Sequence, residues 1–252
     1  MSEERVVLVT GASRGLGREI AKKFGQAGYR VIVNYFKSEE KANEVVADIG
    51  WDKAIAIKAD VRDKEQVEAM VEEAISHFGK IDVAVNNALV NFEFNPVTQE
   101  KADNITWDKY QEQFEGSVKS ALNIVQSVLP SMKENQYGRV INIGTNLFQD
   151  PVVPYHQYTT GKAALLGFTR NMAKELGAFG ITVNMVSGGL LQTTDASKVT
   201  TPEVFQLIAD TSALNRVTAP EDVAEMVAFL GSEAARAVTG QNITVDSGLT
   251  MN

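Results

Sequence analysis

The chain has 252 residues, 44% of them apolar and 22% charged, with no cysteine and a formal net charge of −8 at pH 7. This is the composition of a soluble globular protein; it excludes a disulfide framework and a thiol nucleophile, and the dispersed acidic charge argues against nucleic acid as a partner. No apolar run approaches the ~18 residues of a membrane span, and Met1 to Arg5 has neither the basic nor the apolar region of a signal peptide, so a cytoplasmic protein without membrane contact is expected.

Short runs rich in Val and Ile alternate with longer amphipathic stretches. The first predicted strand, Val6–Thr10, runs into Gly11-Ala12-Ser13-Arg14-Gly15-Leu16-Gly17, which opens a helical pattern. Gly11 permits a tight turn. Gly15 and Gly17 remove side chains where a pyrophosphate would approach a helix amino terminus, whose N–H groups and dipole favour anions. The alternative is a glycine turn needed only for packing; its place between a first strand and a first helix favours a dinucleotide. The second predicted strand, Val31–Asn34, is followed by Tyr35-Phe36-Lys37, with no carboxylate for a ribose hydroxyl. Arg14 and Lys37 suit a 2′-phosphate instead, unless they are ordinary solvated charges, and the expected cofactor is NADP(H).

The third predicted strand, Ala54–Ala59, leads into Asp60-Val61, and Asp63 with Gln66 predicts a capping box for a helix through Phe78. Strands follow at Ile81–Asn86, Arg139–Ile143, Thr182–Val186 and Asn242–Val245. Thr201-Pro202 and Ala219-Pro220 predict helix starts, with Glu203, Glu221 and Asp222 in the first turns, and Val223, Met226, Val227 and Leu230 form an apolar stripe. Strands this apolar need cover on both faces. The alternation therefore predicts one domain, residues 1–252: an α/β, Rossmann-type doubly wound parallel sheet of about seven strands with helices on both faces. The irregular stretch from Gly188 to Thr201 is expected as a loop at the carboxyl end of the sheet, where such folds bind ligands. His77 and His156 are isolated, so no metal is expected.

Tyr158-Thr159-Thr160-Gly161-Lys162 places a phenol and an ammonium at i and i+4, on one helix face. A carbonyl that accepts hydride becomes an alkoxide and needs a proton, and a neighbouring ammonium lowers a phenol from its ordinary value of about 10. Alone, such a pair is common on helices. Together with the glycine pattern, Asn86-Asn87-Ala88 and the ending from Gly240 to Gly248, it resembles the short-chain dehydrogenase/reductase family, and within it the 3-oxoacyl-acyl-carrier-protein reductases. The resemblance runs from Val6 to Met251. It implies Tyr158 as general acid/base, Lys162 lowering its pKa and holding the nicotinamide ribose, and Thr145 in the place of a substrate-orienting serine. It also implies an adenine contact from Asp60, unless that residue only starts a helix, and a nicotinamide contact from Thr193. The full set of expected cofactor contacts is Gly11, Ser13, Arg14, Gly15, Leu16, Gly17, Asn34, Lys37, Asp60, Val61, Asn87, Ala88, Tyr158, Lys162 and Thr193, and the implied assembly is a homotetramer.

Three positions depart from the family pattern. Phe114, counted from Trp107-Asp108, stands where the family has an asparagine that orders the water relaying protons to the lysine; the main-chain carbonyl used there survives, and the ring is also suited to an apolar substrate pocket. Leu89 replaces a glycine, and Gly188 replaces a proline, which should loosen the following loop. These changes point to a remodelled substrate side on an intact cofactor side. The expected function is an NADP(H)-dependent oxidoreductase reducing a ketone or 3-oxoacyl thioester, with acyl carrier protein as a candidate carrier. The rivals are a sugar, steroid or small-alcohol dehydrogenase, and a cofactor-binding sensor or partner subunit with weak or lost turnover.

Overall fold

The computed structural model describes residues 4–90, 99–192, 194, 197 and 199–251. Seven strands among them form one sheet: β1 (Val6–Val9), β2 (Arg30–Tyr35), β3 (Ala54–Lys58), β4 (Val83–Asn86), β5 (Gly138–Thr145), β6 (Ile181–Gly188) and β7 (Asn242–Val245). Every pairing is parallel and the order is β3-β2-β1-β4-β5-β6-β7. The chain therefore reverses its winding between β1 and β4, and ligands of such sheets bind at that switch point, beyond the strands' carboxyl ends.

Strand pleating sorts the apolar residues onto two faces. Val7, Val9, Val31 and Val33 pack under α1 (Gly15–Gln26), α2 (Glu39–Ile49) and α8 (Pro220–Gly231). Val6, Leu8, Ile32 and Ala84 pack under α3 (Lys64–Phe78), α5 (Ser120–Glu134) and α6 (His156–Leu176). Val223, Val227 and Leu230 are core, with Met226 packed at its edge. Two further helices are α4 (Trp107–Phe114) and α7 (Pro202–Thr211).

Several boundaries differ from the sequence expectation for local reasons. β5 and β6 extend to Thr145 and Gly188 because Gly144 pairs with Ser187 and Thr145 with Gly188, although Gly, Ser and Thr interrupt the apolar run. Gly188 consequently closes a strand, paired also with Val245, instead of loosening a loop. β4 begins at Val83 because Asp82 turns its buried carboxylate to the Val6 N–H (2.8 Å) and Arg5 (2.8 Å). The capping box forms in altered shape. Asp63 accepts from the N–H groups of Glu65 and Gln66, while the Gln66 side-chain oxygen accepts from the Asp60 N–H.

Candidate active site

The glycine-rich turn is held by two asparagines. Asn34 Oδ1 accepts the Gly11 N–H at 3.1 Å, and its Nδ2 donates to the carbonyls of Tyr35, Ile57 and Ala59 at 3.2–3.4 Å. Asn87 Nδ2 donates to the carbonyls of Thr10 (2.8 Å) and Gly11 (3.2 Å), and the main-chain N–H groups of Asn87 and Ala88 reach Thr10 Oγ1. Both side chains thus serve the turn. Asn34, expected as a cofactor contact, is buried with its polar atoms turned to protein. Gly11 has φ +62°, and a Cβ there would lie 2.9 Å from Ala88 Cα; a Cβ on Gly17 would lie 2.4 Å from the Gly11 carbonyl oxygen. No side chain caps α1, so its first N–H groups face outward beside a turn with no room for substituents. That cradle fits a pyrophosphate.

The remaining cofactor-side residues surround this turn. Ser13 and Val61 are buried, Leu16 is half-buried, and Arg14 and Lys37 are exposed. Asp60 pairs with Arg62 through both carboxylate oxygens (3.0 and 2.7 Å), which holds its carboxyl below the usual range. Thr193 lies outside the described residues; a Cβ on Gly15 would lie 3.9 Å from Thr194 Cβ, so the loop after β6 returns to the glycine turn.

On the other side of the switch point, β5 delivers Thr145 and α6 delivers Tyr158 and Lys162. The Gly161 backbone sits against α4, where a Cβ would lie 3.2 Å from the Gln113 carbonyl oxygen. The Thr145 hydroxyl accepts the Leu147 N–H (3.3 Å) and lies beside the Tyr158 phenol, close enough to favour its charged form. Lys162 is buried, donates from Nζ to the Ile143 carbonyl at 2.7 Å, and lies 5.9 Å from the Tyr158 ring centre. Burial pushes Lys162 down to about 8. Burial likewise pushes Tyr158 up to about 12, against the opposing influence of Thr145. The Lys162 ammonium, expected to lower the phenol, is directed to the Ile143 carbonyl, and desolvation is the dominant influence on Tyr158.

Phe114 is half-buried and closes an aromatic stripe on α4, its ring 6.1 Å from that of Trp107, which stacks on Tyr110. Leu89 is exposed. After Phe114 the helix widens into one π-helical turn, Glu115–Lys119, a form that concentrates at functional sites. His77 is exposed against Phe78, and no group of three potential metal ligands occurs among the described residues. No helix among them is long and apolar enough to cross a membrane.

Residues 11–250 match the family model described as enoyl-(acyl carrier protein) reductase. A short-chain dehydrogenase/reductase of Serratia marcescens, solved as a double variant, is 30% identical and superposes with a TM-score of 0.87 over 99% of both chains. The chain belongs to the short-chain dehydrogenase/reductase family. Within that family it is 36% identical, over the full length of both proteins, to the 3-oxoacyl-[acyl-carrier-protein] reductase FabG of Staphylococcus aureus. It is also 34% identical to a blue fluorescent protein from a metagenomic library, solved in complex with NADPH, with a TM-score of 0.86 over 98% of both chains.

Proposed function

We propose that this protein is an NADPH-dependent reductase that converts the carbonyl of a ketone or 3-oxoacyl thioester to an alcohol, with Tyr158 as the general acid. The observation that carries this reading is Thr145 beside the Tyr158 phenol with buried Lys162 one helical turn on, at the same carboxyl end of the sheet as the glycine cradle. NADPH, when bound, supplies the hydride. Arg14 and Lys37 suit its 2′-phosphate, and β2 ends without a carboxylate to repel it. The NADPH complex of the blue fluorescent relative supports the same choice.

A phenol held near 12 keeps its proton at neutral pH, which suits donation to a developing alkoxide. Thr145 donates to the same oxygen and orients it. Lys162 holds positive charge next to the phenolate left behind, which favours its formation. The names of the full-length relatives support an acyl thioester carried on acyl carrier protein, and the family resemblance supports a homotetramer working in the cytoplasm.

The test is NADPH oxidation with a panel of 3-oxoacyl thioesters and ketones. Tyr158→Phe is expected to lower kcat by roughly 10²–10⁴, while NADPH binding, followed by its fluorescence, is retained because the phosphate cradle is intact. NADPH binding without turnover on any substrate would favour the sensor reading that Phe114 raises.

A further inference from the structure

We propose that Ser117, on the π-turn after Phe114, holds the water through which Lys162 is resupplied with protons, so that the turn takes over the task of the side-chain amide absent at Phe114. The proposal deepens the reductase reading and rests on it.

A cavity of about 10 Å³, room for one water molecule, lies beside Lys162. Its polar walls are Thr10, Asn86, Ser117, Ser120 and Lys162; aliphatic residues such as Val61, Ile124 and Leu165 complete it. Phe114 is not among the lining residues, since its ring is turned to Trp107. Most of the polar walls are already engaged. Thr10 Oγ1 donates to the Val85 carbonyl and accepts two N–H groups, and Ser120 Oγ donates to the Glu115 carbonyl. Asn86 Nδ2 donates to Asn142, which passes the bond on to Thr169. Lys162 spends one of its three donors on Ile143.

Three groups remain for a guest: the Ser117 hydroxyl, which is buried and makes no hydrogen bond among the described residues, the Asn86 side-chain oxygen, and the spare N–H groups of Lys162. A water can accept from the ammonium and donate to the two oxygens, within the two to four partners that buried water needs. Gly116 and Ser117 on the π-turn stand at i−4 and i−3 from Ser120 at the start of α5, and the three form one wall of the cavity.

The chemistry moves one proton and no electrons beyond the hydride. Tyr158 O–H breaks as its proton goes to the substrate oxygen. The Lys162 ammonium then provides the proton that restores the phenol. The water held at Ser117 reprotonates the amine, and bulk solvent replaces the proton that water has lost. Ser117 is a positioning residue, because it acts on this water and not on the substrate.

The experiment compares Ser117→Ala and Ser117→Thr with the unaltered protein and with Tyr158→Phe, in NADPH oxidation in ordinary and heavy water. Ser117→Ala is expected to lower kcat about tenfold with unchanged KM and unchanged NADPH binding, and to enlarge the solvent isotope effect. Ser117→Thr, which keeps the hydroxyl, is expected to recover most of the rate. A Ser117→Ala protein with the original kcat and isotope effect overturns the proposal while leaving the reductase reading intact. Loss of NADPH binding and stability alongside the rate assigns Ser117 a packing role and also overturns it. An unaffected Tyr158→Phe protein would defeat both readings together.

Discussion

Tyr158 and Lys162 are each pushed by burial toward the neutral form, the phenol to about 12 and the ammonium to about 8. The two shifts give opposite pH dependences. Between about 8 and 10.5 the unfolded chain binds a proton at Lys162 that the folded chain lacks, so folding stability rises with pH across that window. Between 10 and about 12 the folded chain keeps the Tyr158 proton that the unfolded chain loses, so stability falls again. Urea unfolding of the cofactor-free protein between pH 7.5 and 10 checks the first half. The unaltered protein is expected to gain stability relative to Lys162→Met as pH rises, and a constant difference would show that Lys162 is not desolvated. The pair itself was legible in the sequence from its i, i+4 spacing. The Ile143 carbonyl was not, because a main-chain acceptor 19 residues away leaves no mark on residue type.

At the scale of elements, the β1–α1 turn, β2 and β3 are joined through one side chain. Asn34 accepts from Gly11 and donates to carbonyls on β2, on β3 and just beyond it. From sequence this position reads as a cofactor contact at the end of β2, and an acid there would be the ordinary route to NADH. In the tertiary structure its side chain is bonded to main-chain groups of the turn and the two strands. Asn34→Asp would aim a buried carboxylate at three carbonyl oxygens and is expected to cost about 3 kcal/mol in a denaturant melt without improving NADH binding. Strands β5 and β6 teach a related lesson. Their polar ends, Gly144-Thr145 and Ser187-Gly188, lie beyond the strands expected from the apolar runs, yet mutual pairing keeps them in the sheet and gives Thr145 a rigid seat.

For the whole molecule, one switch point collects residues from both halves of the chain: the glycine turn near residue 11, the end of β4, the end of β5 and the first turns of α6. Ligand bound there stabilises the folded state by RT ln(1 + [L]/Kd), about 2.7 kcal/mol at a hundredfold excess over Kd. For a chain of this size that is a rise in Tm of roughly 5–10 °C. NADPH is expected to produce it, NADH at equal concentration a smaller one. Replacing Arg14 and Lys37 together by alanine should bring the two cofactors level; equal shifts in the unaltered protein would remove these cations from cofactor choice.

The sequence by itself determined the class of fold, because strands apolar on both sides can be buried only in a parallel sheet covered by helices. It also determined the positions of the glycine cradle and the Tyr158–Lys162 pair, since both follow from spacing along one element. What tertiary structure alone decided is how those groups are used. Asn34 became a brace, Lys162 turned to Ile143, and Ser117 came to line a cavity beside it. Each depends on distances between elements far apart in the chain, and on burial, which the order of residues does not state.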